Sequence, residues 1–335
     1  MQLICYTSNL RFFPQYSNTG SKKWLRVNIN KEHKEEPQLV KKGITIMIFA
    51  ALLSMIFPIT GCSESANDSA EAANDKAILV VSFGTSFNES RNITIGGIES
   101  AIEENFPDYE VRRAFTSQII IDVLKERDGI EIDNVEEALD SLVADGYKTL
   151  IVQPTHLMHG FEYDDLVTEL DNYKDKFNSV ALGEPLLNSD EDFAEVIDCI
   201  TSRTASYINH ETAIAFMGHG THHEANTVYA DLQKKITAAG YSNYIIGTVE
   251  ATPSLDDVMA AVKAGGFTRV VLEPLMVVAG DHANNDMAGD EDDSWKSAFT
   301  AEGIEVVSIL EGLGQFNEIQ DIYVKHVKAA IDSIE

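Results

Sequence analysis

A chain of 335 residues with 44% hydrophobic content is long enough for a sizeable core, held in one large domain or two of ordinary size. Its formal charge of −29, from 25 basic and 54 acidic side chains, excludes a nucleic-acid binder, because phosphate contacts need a basic face. The same field attracts cations and repels anionic ligands unless local Lys or Arg overrides it.

Residues 1–39 carry no steady hydrophobic period, and FFPQYSNTGSKKW fits neither a signal nor the fold that follows. We expect an upstream extension here, with translation starting at Val40 from a GUG codon. Lys41 and Lys42 then precede the apolar run GITIMIFAALLSMIFPIT, Gly61, Cys62 and the polar stretch SESANDSAEAANDK. A basic segment, an apolar segment and small residues at a cleavage point are the parts of a secretory signal. Ile59-Thr60-Gly61-Cys62 resembles the lipobox of bacterial lipoproteins. That resemblance implies a signal peptide over 40–61, lipid on the Cys62 sulfur, a flexible linker over 62–76 and a mature protein anchored to the membrane outside the cytoplasm. An uncleaved anchor is the alternative, since about 18 apolar residues is the lower limit for a spanning helix. Removing residues 1–61 leaves 17 Lys and Arg against 51 Asp and Glu, a net charge of −34. Of the three cysteines only Cys199 then sits in the folded body, so no intramolecular disulfide forms there.

From residue 77 the pattern alternates. AILVVS (77–82) is a continuous apolar run of the kind found in a parallel strand covered on both faces. Further strands are expected at 109–115, 149–153 and 180–183, with helical stretches between them. One of these, VEEALDSLVADG, has Asp133 or Asn134 as its cap and Gly146 as its stop. The scheme repeats with strands at 213–217, 243–248, 268–273 and 305–309. The predicted fold is therefore α/β, with two similar βα halves, 77–207 and 208–335, each built on a parallel sheet. Residues repeat as well as periods. KTLIVQPTHLMHGFE from Lys148 lies on TRVVLEPLMVVAGDH from Thr268 without a gap, so that Gln153 faces Glu273, Gly160 faces Gly280 and Glu162 faces His282. SFGTS from Ser82 likewise matches GHGTH from Gly218, setting Phe83 against His219. Ligands in such sheets lie beyond the carboxyl ends of the strands, which places the site in the cleft between the halves.

Three metal-seeking side chains follow strands of the second half: His219, Glu250 and His282. Two imidazoles and a carboxylate suit a divalent ion such as Co, Fe, Ni or Zn, and three protein ligands leave positions open for exchange. The other reading of His219 is a histidine in a tight turn, and the pattern alone leaves both open.

MGHGTHHEANTVY, GTVEATPSLD and LEPLMVVAGDHANNDMAGDEDDSW, with VVSFGTS, RRAFTS and RDGIEID earlier, resemble the anaerobic, ATP-independent cobalt chelatases of the CbiK type that act on sirohydrochlorin, relatives of the ferrochelatases. The likeness runs from about 77 to 330. It implies insertion of Co(II) into sirohydrochlorin, with His219, Glu250 and His282 as metal ligands and His219 also accepting a proton. The divalent ion is a substrate, with Fe(II) or Ni(II) as other candidates, and no nucleotide is implied. The chain also lacks a phosphate loop of the GxxxxGK[ST] form. Phe83, Gly84, Thr85, His156 and Glu162 are candidates for holding the macrocycle. His156, His159 and Glu162 stand open to a second reading, a further ion site, and to a third, a leftover of duplication. His222 and His223 extend the metal site or lie at the surface. Asp290-Glu291-Asp292-Asp293 reads as a helix start or a collector of cations. Because sirohydrochlorin is a polycarboxylate, a basic residue is expected at its seat, and Arg113, with Arg112 and Arg91 behind it, is the candidate; the alternative is a solvated surface arginine. An extracytoplasmic location also admits a carrier of metal or tetrapyrrole without turnover, or an Fe(II) chelatase for haem-type tetrapyrroles. A homo-oligomer stays open.

Overall fold

The computed structural model describes residues 75–335 in full and, before them, the backbone of two strands, β1 (Leu10–Tyr16) and β2 (Lys22–Asn28). These pair antiparallel, Leu10 opposite Asn28 and Tyr16 opposite Lys22. The sequence shows no steady period here, yet both runs carry the aromatic and branched residues that favour strands. Residues 1–67 and 68–335 form separate compact units. The expected signal segment, its cleavage point and Cys62 lie outside the described residues. Among the described residues no helix is long and apolar enough to cross a membrane.

In the larger unit, strands and helices alternate. The first half runs β3 (Lys76–Ser82), α1 (Asn88–Ile93), α2 (Ile95–Asn105), β4 (Glu110–Phe115), α3 (Gln118–Asp128), α4 (Val135–Asp145), β5 (Thr149–Pro154), α5 (Phe161–Asp171), β6 (Ser179–Leu182) and α6 (Asp190–Thr204). The second runs β7 (Thr212–Gly218), α7 (Thr227–Ala238), β8 (Tyr244–Thr248), α8 (Leu255–Ala264), β9 (Arg269–Pro274), α9 (Trp295–Ala301), β10 (Glu305–Ser308) and α10 (Asn317–Asp332). Each half forms a four-stranded parallel sheet, in the orders β4-β3-β5-β6 and β10-β9-β7-β8. Both place the half's second strand beside its first, then the third and fourth, so the repeat seen in sequence is a repeat of topology.

Local chemistry sets the elements. Ala77 to Val81 and Ala213 to Met217 are completely buried, because helices cover both faces of each sheet. Helix α4 starts at a capping box, with the Asn134 side chain accepting from Glu137 N and the Glu137 carboxylate accepting from Asn134 N. It stops at Gly146, as its sequence predicts.

The last helix of each half packs on the other half. On α6, Thr204 Oγ1 lies 2.8 Å from Tyr244 Oη of β8, and that hydroxyl also faces Thr201 O. On α10, Tyr323 Oη donates to Thr155 O just beyond β5, at 2.9 Å. His326 of the same helix sits between Glu184 O and the Asp192 carboxylate. One apolar core therefore includes Ile78, Ile151, Ile214, Phe216, Val271 and Tyr323, from both sheets and α10. This exchange joins the two halves through one core.

Candidate metal centre

His219 follows β7 in a turn that depends on a glycine on each side of it. A Cβ on Gly218 would come within 2.2 Å of the Tyr229 ring. Gly220 has φ +83°, and a Cβ there would lie 2.8 Å from Ala251 Cβ and 2.9 Å from Ala251 N. Gly220 N donates to the buried Tyr229 hydroxyl at 3.2 Å, and burial pushes that phenol up to about 12, so it stays protonated.

The loops after β7 and β8 continue the parallel ladder past the strand ends. Val249 N donates to Gly218 O at 3.0 Å and Glu250 N to His219 O at 2.9 Å. Glu250 is thereby fixed beside His219 by backbone bonding alone. The loop after β9 is tied through Leu275 N to Met217 O, Leu313 N to Met276 O and Ala279 N to Ser90 Oγ. It ends in a π-helical turn, Ala283–Met287, whose N-cap is His282.

His219, Glu250 and His282 meet, with one ligand atom of each within 4.8 Å of the others. The two rings stand edge to face, centroids 4.6 Å apart. Each ring is oriented through Nδ1. His219 Nδ1 lies 2.8 Å from Gly220 O, and His282 Nδ1 lies 2.7 Å from Asp286 Oδ2. A carbonyl or carboxylate oxygen only accepts, so Nδ1 carries the hydrogen in both rings, and in the neutral imidazole this tautomer puts the lone pair on Nε2, where a metal can take it. Both histidines are half-buried and Glu250 is exposed, which suits an ion taken from solvent and given up again.

The three side chains stand on the wall of a cleft of about 460 Å³ between the halves. Its first-half wall is 82–86 and 155–162, and its second-half wall 219–222 and 275–282. Phe83, Gly84, Thr85, His156 and Glu162 all line it, with Phe83 49% exposed. The first half repeats the backbone but not the ligands. Thr116 N donates to Ser82 O and Ser117 N to Phe83 O, so the counterparts of His219, Glu250 and His282 are Phe83, Ser117 and Glu162. Among the described residues no other group of His, Cys, Asp or Glu is placed to hold an ion, which leaves the second-ion reading of His156, His159 and Glu162 without support.

Arg113 does not meet its expectation. Its guanidinium closes a double ion pair with Glu99 of α2, through Nε at 2.6 Å and through Nη2, and it does not line the cleft. Strand β4 turns alternate residues to opposite faces, and Arg113 falls on the face packed by α2. Arg112 pairs with Glu110 and Asp145, and Arg91 is buried and bonded to Asn88. Among the described residues no Lys or Arg lines the cleft. His222 lines it, whereas His223 spends both nitrogens elsewhere: Nδ1 accepts from Ala225 N, and Nε2 lies 3.2 Å from Asp164 Oδ2. His159 pairs with Glu184 at 2.7 Å. The acidic run precedes α9 without entering it. Ser294 caps that helix, accepting from Ser297 N, while Asp290 pairs with Lys296. Sequence reasoning missed Asp286 and Tyr229. Asp286 lies four residues after His282, a spacing that could have pointed to it, whereas no local pattern marks the Tyr229 hydroxyl as the partner of Gly220 N.

Residues 76–332 match the family model described as cobalt chelatase (CbiK). The chain is 39% identical over 257 residues to the sirohydrochlorin cobaltochelatase of Salmonella typhimurium, covering 77% of this chain and 97% of that protein. It is 31% identical over 262 residues to the sirohydrochlorin cobaltochelatase CbiKC of Nitratidesulfovibrio vulgaris, covering 78% and 92%. Among solved structures, SirB from Bacillus subtilis with Fe3+ shares the fold at a TM-score of 0.55 and 14% identity, over 77% of this chain and 96% of that one. With two sheets of one topology and a match over nearly all of the larger unit, this chain belongs to the CbiK cobalt chelatase family.

Proposed function

We propose that this chain is an ATP-independent chelatase that inserts Co(II) into sirohydrochlorin, with His219, Glu250 and His282 receiving the ion. The observation that carries the reading is the convergence of two free Nε2 lone pairs and a carboxylate at the wall of a largely apolar cleft, in a member of the cobalt chelatase family. Metallation exchanges two pyrrole N–H protons for a dication. The ligand set therefore has to hold the ion loosely, and a base has to be near. Three protein ligands leave coordination positions for the macrocycle nitrogens. While the ion sits on His219 Nε2, that nitrogen holds no proton; as the ion passes to the macrocycle, the nitrogen is freed and takes one of the two pyrrole protons, and the other leaves to solvent water at the open cleft. Donor type does not select the metal, because the affinity order among divalent ions is set mostly by the ions themselves.

The test is anaerobic incubation of the full chain with sirohydrochlorin and Co(II), Fe(II) or Ni(II), followed by absorption spectra, with His219→Ala as control. Accelerated metallation that His219→Ala abolishes supports the reading. Tight binding without acceleration favours a carrier, and full activity in His219→Ala refutes the assigned ligand set.

The lipid anchor and extracytoplasmic location belong to the same proposal. They are supported by the basic pair Lys41-Lys42, the apolar run and the Ile59-to-Cys62 segment. A start at Val40 and a signal over 40–61 predict a mature protein that begins at lipidated Cys62. Mass spectrometry of the protein from its own cells tests this, and a peptide from residues 1–39 would refute the start site.

A further inference from the structure

His156 stands just beyond β5 and lines the cleft. Neither of its ring nitrogens has a hydrogen-bond partner, and neither is open to solvent. Burial alone pushes the imidazole down to about 4, with no charged group contributing, so the ring is neutral at physiological pH. Its backbone is held in place, with Leu186 N donating to His156 O at 2.9 Å and Tyr323 Oη facing the same oxygen at 3.4 Å. Buried nitrogens without partners destabilise a fold, and in a cleft wall they are placed to be satisfied by a ligand. A half-turn about Cβ–Cγ exchanges Nδ1 with Cδ2 and Nε2 with Cε1 at nearly constant shape, so the ring can present nitrogen to the cleft without displacing its neighbours.

The surroundings decide what kind of group pairs with it. Leu157, Met158, Leu275 and Met276 line the same cleft, no Lys or Arg does, and Glu162 and Asp281 already bring negative charge to the walls. A carboxylate carried to a neutral imidazole here would be desolvated without compensation. A neutral N–H donor would not. Building on the function proposed above, we infer that His156 is a substrate-binding residue whose unprotonated ring nitrogen accepts a hydrogen bond from an inner pyrrole N–H of the free-base macrocycle. The metallated product has lost those hydrogens and cannot make the bond. His156 thus favours substrate over product and helps the product leave.

The test is equilibrium titration of the full chain with free-base sirohydrochlorin and, separately, with its cobalt complex, for the wild type, His156→Leu and His156→Gln. His156→Leu weakens free-base binding about tenfold, the scale of one lost hydrogen bond. It leaves binding of the cobalt complex, and of Co(II) alone, unchanged. His156→Gln keeps an acceptor and restores most of the loss. Leu replaces unpaired polar atoms with apolar ones and should fold; if it does not, His156→Phe serves in its place. Equal losses for both tetrapyrroles, or no loss for either, overturn the inference. A wild-type chain that binds neither tetrapyrrole refutes the functional reading itself, a result visible before any variant is made.

Discussion

Glu273 lies on β9, 1% exposed, at the position that Gln153 takes on β5 of the other half. Its Oε2 has no partner, and burial, with Glu311 adding to it and Arg203 opposing, pushes the carboxyl up to about 8. The unfolded chain releases this proton near the ordinary value of 4.5. Between those two values the folded state binds more protons than the unfolded state, so stability is full below about pH 4.5 and falls as pH rises toward 8. At about 1.4 kcal/mol per pH unit, the loss from this one group is about 3 kcal/mol at pH 7 and about 4 kcal/mol at pH 8. Glu273→Gln replaces the neutral acid by a neutral isostere and removes the titration, as the other half already does. Urea unfolding of both proteins at half-unit steps from pH 5 to 8 checks this. The difference in unfolding free energy should widen in favour of Glu273→Gln as pH rises, with a melting temperature several degrees above wild type at pH 7.5. Parallel stability curves across that window would refute the reasoning and mean that Glu273 ionises inside the fold at its ordinary value.

Four further outcomes follow from the site. Asp286→Asn leaves His282 Nδ1 without its carboxylate and should weaken Co(II) binding by roughly 10- to 100-fold, while tetrapyrrole affinity holds; isothermal titration with each component separates the two. Gly220→Ala forces a side chain into φ +83° and against Ala251, costing at least about 1–2 kcal/mol, and should lower the melting temperature and the metal affinity together. Arg113→Ala breaks the pair with Glu99 without touching the cleft; steady-state kinetics should show an unchanged KM for tetrapyrrole, and a raised KM would restore the arginine to the substrate seat. Asn134→Ala removes the side-chain acceptor for Glu137 N in a capping box remote from the cleft and leaves the Asn134 N bond to Glu137, so thermal melts should show a loss of about 1 kcal/mol with kcat unaltered.

The strands were legible because their signal is local. A strand covered on both faces is a continuous apolar run, and all eight strands of the larger unit lie within a residue or so of the runs that announced them. The repeat was legible too, since the Gln153 and Glu273 segments align without a gap and turn out to sit on equivalent strands. Glycines around a histidine at a strand end marked His219 for the same reason, the backbone constraint being written in the residues that meet it. The short hairpin near the start had no period long enough to read.

Contacts between distant segments were not legible. RRAFTS shows that arginines follow one another on a strand, but not that α2 supplies Glu99 to engage Arg113 or that, among the described residues, no Lys or Arg reaches the cleft. Nothing in QPTHLMHG tells that the His156 ring loses every partner, because that depends on what α10 and the second half bring against it. The sequence by itself determined the α/β repeat, the strand ends and the residue types offered at them, since each rests on near neighbours in the chain. Tertiary structure decided which of those residues meet. The ladder past β7 and β8 joins Glu250 to His219, Asp286 orients the His282 ring through Nδ1, and the exchanged helices join the halves that form the cleft.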